Sequence, residues 1–252
     1  MARTIRYMTF NIQHGYDHLR KDGIRLSTMA DIIKRFSPDI VSLNEVRGGK
    51  ELEYDENALY DNTLYFEQTS YLARLCGYEH CFFGRSIYIN DGEYGNALLS
   101  RFPIDKADVF PVPDTYKTPD KHYESRTILR ASFSYPESFD VFISHFGVNT
   151  TEEREKAVKL MLSLTSESKK PCIISGDFND TPDAECLKPL YESFNDTLEM
   201  CGEKYAPSFI STSPDRRIDY IFISRDLGCE SASVPADAVG SDHLPVVADI
   251  KF

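Results

Sequence analysis

The chain has 252 residues, 41% hydrophobic and 27% charged, the balance of a globular protein with a sizeable core, which excludes the disordered and fibrous classes. Its 28 basic and 40 acidic residues leave a net charge of −12, a field that repels polyanions, so work on nucleic acid would require a local basic groove or metal ions. No apolar run approaches about 18 residues and the start, MARTIRYMTFN, has no continuous apolar segment, so neither a membrane-spanning helix nor a secretory leader is expected, and the location expected is cytoplasmic.

In chain order, a strand is expected over residues 5–10. A helix follows over 27–36, where Met29, Ile32, Ile33 and Phe36 repeat at helical spacing and Ser37-Pro38 stops it. After a strand at 40–43, a helix over 63–76 ends at Gly77. Another strand is expected at 97–99. Residues 110–125 are rich in Pro, Asp, Lys and Tyr without periodicity and read as a long surface loop. Strands at 128–133 and 139–143 precede a helix whose start is marked by Thr150 and Glu153, a T-x-x-E capping box, with Ala157, Met161 and Leu164 on one face. Further strands are expected at 172–174, 218–223 and 246–250, with a helix beginning near Pro182-Asp183. This order suggests sheets covered by helices without strict βαβ alternation. No repeat or flexible linker divides the chain, so residues 1–252 are read as a single domain. Six cysteines form no C-x-x-C pair, and reduced thiols are expected.

Polar residues recur where these strands end. Taken singly, each has an ordinary explanation. Asn11 suits a turn, Glu45 a solvated strand end, and His145 a hydrogen-bonded core or rim position. Asp177 and Asn179 suit a cap for the helix that follows, and Asp242-His243 a turn before Pro245. Asp219 is harder to place, because a carboxylate inside an apolar strand needs a partner or a shifted pKa. Together they form a set with complementary chemistry. Asn11, Glu45 and Asp242 are hard oxygen donors suited to Mg²⁺. Two histidines and two further aspartates supply a base for water, donors for phosphoryl oxygens and an orienting group for an imidazole.

The stretches TFNIQHG (9–15), LNEV (43–46), GNALLSRFPI (95–104), SHFG (144–147), SGDFN (175–179), RIDYIF (217–222) and SDHLPV (241–246) resemble, in order, those of the endonuclease/exonuclease/phosphatase superfamily of metal-dependent phosphoesterases. The resemblance implies an α/β (α+β) four-layer αββα sandwich, with two mixed β-sheets face to face and helices outside. It implies a phosphoester hydrolase using Mg²⁺, with Mn²⁺ able to substitute. Carried over residue by residue, Glu45 is the principal metal ligand, helped by Asn11 and Asp242. Asp177 orients or deprotonates the attacking water, and Asn179 fixes the phosphate or that carboxylate. His243 contacts the scissile phosphate and is held by Asp219, while His145 stabilises charge on the phosphoryl oxygens. Asn96 and Arg126 are taken as substrate contacts, Arg126 by its bidentate geometry, with a rim salt bridge as the equal alternative. Asp180 is placed one step behind the site.

Two features depart from the resemblance. Gln13 stands where abasic-site nucleases often carry Asp, and the chain has no Trp. Gln13 weakens a second-metal or repair-specific reading, and the acidic charge favours a compact substrate, a small or single-ended phosphate ester: a small molecule, a lipid head group or a nucleic-acid end. A DNA repair or non-specific nuclease is the first alternative, and a catalytically silent binding module the second. Substrate choice is assigned to residues 110–125 and 47–62, and the sequence fixes no oligomeric state.

Overall fold

The computed structural model describes residues 3–21, 23–49, 67–89, 92–115 and 124–252. Its strands are β1 (Thr4–Asn11), β2 (Ile40–Gly48), β3 (His80–Ile89), β4 (Gly92–Ser100), β5 (Lys106–Pro111), β6 (Thr127–Phe133), β7 (Phe139–Ser144), β8 (Cys172–Asp177), β9 (Asn195–Asp196), β10 (Asp219–Ile223), β11 (Gly228–Ser233) and β12 (Val246–Lys251). Its helices are α1 (Leu26–Phe36), α2 (Gln68–Cys76), α3 (Thr151–Glu167), α4 (Lys188–Ser193) and α5 (Thr197–Met200).

The strands form two six-stranded sheets, ordered β11-β12-β1-β2-β4-β3 and β5-β6-β7-β8-β10-β9. Each is mixed: β1 pairs parallel with β2, and β7 with β8, while the other pairs are antiparallel. Alternation along the strands sorts side chains into layers. Ile5 and Tyr7 of β1 and Ile40 of β2 meet Val141 and Ile143 of β7, Ile173 of β8 and Ile221 of β10 in a core between the sheets. Met8, Phe10, Val41 and Leu43 face the other way, into α1 and α2. Phe142, Ile174, Tyr220 and Phe222 pack against α3 and α4. This is the expected four-layer αββα sandwich.

The helices begin and end for local reasons. The α1 helix stops at Ser37, which adopts left-handed φ (48°) before Pro38. In α2 the Glu67 side chain accepts the Thr69 and Ser70 amides, and Gly77 terminates it at φ 74°. The first part of the helix expected over 63–76 lies outside the described residues. The capping box at α3 is formed by the expected pair, Thr150 and Glu153.

Other expectations change. Strands β3, β5, β9 and β11 were not expected, and the first, second and last are half-exposed, with weak apolar alternation. The loop expected over 110–125 begins in β5, and residues 116–123 lie outside the described set. Of the segment 47–62, Arg47 and Gly48 finish β2 and residues 50–62 lie outside it. The helix expected at Pro182-Asp183 starts later, because an Ala184 amide to Thr181 carbonyl bond closes a turn there first. The six cysteines are free thiols, with the Cys201 and Cys229 sulfurs 3.8 Å apart. No helix among the described residues is long and apolar enough to cross a membrane.

Candidate active site

Strand register carries most of the candidate residues to one end of the sandwich. In β1, counting by twos from Tyr7 leads through Thr9 to Asn11 on the face toward the second sheet. In β8, Ile173, Ser175 and Asp177 share that inward face, and in β10 so do Ile223, Ile221 and Asp219. Asp219 and Asp177 are direct partners across the antiparallel pair. Below them, the Tyr7 hydroxyl meets Ser175 Oγ at 2.8 Å, and Ser175 Oγ meets Ser42 Oγ at 2.9 Å, stitching the sheets together under the site.

Glu45 reaches the site by breaking the alternation. Val41 and Leu43 face the helices, so regular pleating would send residue 45 the same way. A register shift between Leu43 and Val46 and a left-handed backbone at Glu45 (φ 59°) turn it into the cleft instead. Gln13 (φ 41°) and Asn179 (φ 51°) are also left-handed, and such conformations cost on the order of 1–3 kcal/mol each. These three stand at or beside the cleft, whereas left-handed Ser37 ends α1 elsewhere.

Gly176 opens the other side. Its φ is 135°, and a Cβ there would lie 1.9 Å from the Ser144 carbonyl oxygen, so only glycine lets β8 pass the end of β7 and deliver Asp177. Asn44 ties the two sheets at this level: its Oδ1 accepts the Asp177 amide at 2.9 Å, while its Nδ2 donates to the Asn96 and Ser144 oxygens at 2.8 and 3.2 Å.

The cleft so formed encloses about 540 Å³. Glu45, Asp177, Asn179 and Asp242 line it together with His145, His243 and Arg126. Asn11 and Asp219 stand immediately behind, fully buried. Asn96 departs from expectation: it is buried beneath the floor, bonded to Asn44 and the Thr127 carbonyl, and holds the frame without lining the cleft. Arg126 forms the rim salt bridge of its alternative reading, pairing with Glu124 at 2.9 Å, and it also lines the cleft. Asp177 and Asn179 do not cap a helix; the Asn179 amide donates to Asp177 Oδ1 at 2.9 Å. Asp180 pairs with Arg154 at 2.8 Å, and Arg154 also donates to the Gly147 carbonyl, fastening the SGDFND turn to the loop after His145.

At the centre, Asn11 Nδ2 donates to Glu45 Oε1 and Asp177 Oδ2, each at 3.0 Å. Its Oδ1, expected as a metal ligand, accepts the Gln13 amide at 3.1 Å, so in this arrangement Asn11 spaces the two carboxylates. His145 Nε2 and His243 Nε2 stand 3.4 and 3.5 Å from Asp177 Oδ2. Asp219 Oδ2 accepts from His243 Nδ1 at 2.8 Å and from Ser208 Oγ at 2.6 Å, which fixes the imidazole. His145 stands between two donors, Arg126 Nη1 at 3.2 Å from Nδ1 and Asn179 Nδ2 at 2.9 Å from Nε2, and a neutral imidazole accepts from only one of them.

The electrostatics separate the two imidazoles. Burial of His243 opposes its charge, but the carboxylates of Asp219 and Asp177 outweigh it and raise its pKa, keeping it protonated at neutral pH. His145 is pushed the opposite way by burial and then by the Arg126 and His243 charges, and stays neutral. Burial raises the Asp177 carboxyl, and the nearby Asp219 charge adds to that, although His243 opposes it.

The donor chemistry fits a divalent cation. Glu45, His145 and Asp177 bring ligand atoms within 4.8 Å of one another, as do Asp177, Asp219 and His243; Asp242 belongs to neither group but lines the same cleft. Asp219 Oδ1 is buried without a hydrogen-bond partner. Carboxylate-rich clusters of this kind, buried except at Glu45, suit a hard ion.

Sequence reasoning overlooked several participants. Tyr94 donates to Glu45 Oε2 at 2.6 Å, and the signal was present: counting back from inward-facing Leu98 through Asn96 gives Tyr94. Ser208, Phe209 and Arg216 come from an irregular loop with no periodicity to read. Phe209 lies 4.8 Å from the His243 ring, with Arg216 stacked over it at 4.6 Å.

Known proteins share this arrangement of chain. The Escherichia coli K12 protein YbhP, described as uncharacterized, is 24% identical over 260 residues, covering 99% of this chain and 97% of its own length. An endonuclease/exonuclease/phosphatase from Beutenbergia cavernae superposes with a TM-score of 0.79 at 24% identity, over 99% of this chain and 72% of that one. The mannosyl-6-phosphatase of Bacteroides thetaiotaomicron does so with a TM-score of 0.74 at 20% identity, over 98% of this chain and 100% of its own. The sequence model of the Endonuclease/Exonuclease/phosphatase family matches residues 8–243, nearly the whole chain, which therefore belongs to that family of phosphoesterases.

Proposed function

We propose that the chain, acting as one domain, is a Mg²⁺-dependent phosphoesterase that hydrolyses a small or single-ended phosphate ester by in-line attack of water. The observation that carries this reading is the convergence on Asp177 Oδ2: Asn11, His145 and His243 all approach that one oxygen, and Glu45 stands on the far side of Asn11. Such a group can hold a water against a phosphorus atom while charge on the phosphoryl oxygens is met from other directions.

Glu45 and Asp242, with Asp177 nearby, would hold the cation, which when bound supplies Lewis-acid stabilisation of phosphoryl charge. Asp177 orients the attacking water and takes its proton. Protonated His243, held by Asp219, offers Nε2–H to a phosphoryl oxygen. Neutral His145 orients the Asn179 side-chain amide, which offers an N–H donor to the same group. Arg126 on one wall and Arg216 on the opposite loop are placed to meet remaining negative charge.

Cleft size and charge support the compact substrate. A volume of about 540 Å³ accommodates a small molecule, and the net charge of −12 does not gather a long polyanion. The family relative named as a mannosyl-6-phosphatase makes sugar phosphates the first class to assay. Purified protein with Mg²⁺ or Mn²⁺ is screened against sugar phosphates, phosphoinositides, sphingomyelin, and single-stranded and abasic DNA. Hydrolysis of small esters that resists added salt supports the reading. Activity confined to DNA and falling steeply with salt would favour the nuclease instead.

A further inference from the structure

Gln13 entered the sequence comparison only as a substitution, yet it holds a specific place beside the cleft. Its side-chain amide lies between two partners. Nε2 is 3.0 Å from Asp242 Oδ2, and Oε1 is 2.5 Å from His18 Nε2. The direction of this chain of bonds follows from chemistry. A carboxylate can only accept, so the amide must turn its NH₂ toward Asp242; its oxygen then faces His18, whose Nε2 must carry the ring proton.

The backbone reinforces the link. Gln13 and His14 are both left-handed (φ 41° and 47°), in a turn tied to Asn11 through the Gln13 amide. The same turn is anchored to the loop carrying Asp242, because the His18 amide donates to the Gly240 carbonyl at 2.7 Å. On its other oxygen, Asp242 accepts from Ser241 Oγ at 3.0 Å. Each carboxylate oxygen keeps a further acceptor direction open.

We propose that Gln13, oriented by His18, is a positioning residue that fixes the Asp242 carboxylate for cation binding. The proposal rests on the cation-dependent reading of the cleft, but its test needs no substrate. Asp242 stands on a loop outside both tight donor groups, so without a tether it is the least constrained of the expected ligands. Groups that orient metal ligands from behind are worth about 10–100-fold in metal affinity.

The experiment is a double-mutant cycle read by Mn²⁺ titration of the metal-free protein, using Gln13→Leu, Asp242→Ala and the double variant, with His18→Phe alongside. Gln13→Leu is expected to weaken Mn²⁺ binding about 10–100-fold, with His18→Phe weakening it less. The double variant is expected to bind no more weakly than Asp242→Ala alone, because Gln13 acts only through that carboxylate. Wild-type affinity in Gln13→Leu overturns the proposal, as do additive losses in the double variant, which would indicate general destabilisation. Absence of Mn²⁺ binding by the wild-type protein overturns it too. If the coupling is found and no phosphate ester is hydrolysed, the functional reading alone fails.

Discussion

At the scale of single residues, Asp177 combines an expensive location with a place at the centre of the cleft. It is almost fully buried, its charge opposed by desolvation and by Asp219 and offset only in part by His243 and the hydrogen bonds from Asn179 and Asn11. Asp177→Asn keeps the acceptor for the Asn179 amide and removes the base. It should lower kcat by at least about 10²–10⁴-fold without lowering the melting temperature of metal-free protein; near-normal turnover would remove Asp177 from the mechanism. His14 gives a separate, pH-linked prediction. Burial, then the Arg47 and His18 charges, lower its pKa to about 4 from an ordinary 6.5. Between those values the unfolded chain binds a proton that the folded chain refuses. Stability attributable to His14 is therefore present above pH 6.5 and lost as pH falls toward 4, by up to about 3 kcal/mol. A His14→Gln variant should show a flatter dependence of melting temperature on pH over that window, and an unchanged slope would contradict the assignment.

At the scale of elements, the site depends on how strands end. Where β8 runs beside the end of its parallel neighbour β7, no room is left for a side chain at Gly176. Gly176→Ala should destabilise by about 3 kcal/mol or more, through steric overlap and a left-handed backbone, and urea unfolding measures it. A cost under about 1 kcal/mol would mean that β7 shifts easily. The α3 helix tests the other kind of control, in which local chemistry suffices. Thr150→Ala should cost about 1 kcal/mol by removing half of the capping box, with activity retained because Arg154 still holds Asp180 on a helix that still forms.

At the scale of the whole molecule, the cleft joins the two sheets, and its carboxylates repel one another across the joint. A cation that binds there stabilises the fold by linkage. At 100 times its dissociation constant, Mn²⁺ or Mg²⁺ should add about 2.7 kcal/mol to stability. Glu45→Gln should shift that dependence to higher metal concentration. Thermal melting across a metal titration reads both effects, and a melting temperature insensitive to metal in the wild-type protein would refute them.

The sequence by itself determined the layers, the capped helices and most of the residues that gather at the cleft, because those depend on local chemistry. Apolar periodicity gave α1 and the central strands, and strand-ending polar residues from Asn11 to His243 marked the cleft. Half-exposed β3 and β11 escaped because their alternation is weak, and Asn96 was misplaced because a polar residue beside an apolar strand looks alike whether it meets substrate or a buried amide. Only the tertiary structure decided that Glu45 turns inward at a bulge, that Tyr94 and Ser208 support the carboxylates, and that Gln13 bridges His18 to Asp242. These contacts join residues up to 229 positions apart, and the direction of a side chain across such a gap is set by packing between the sheets.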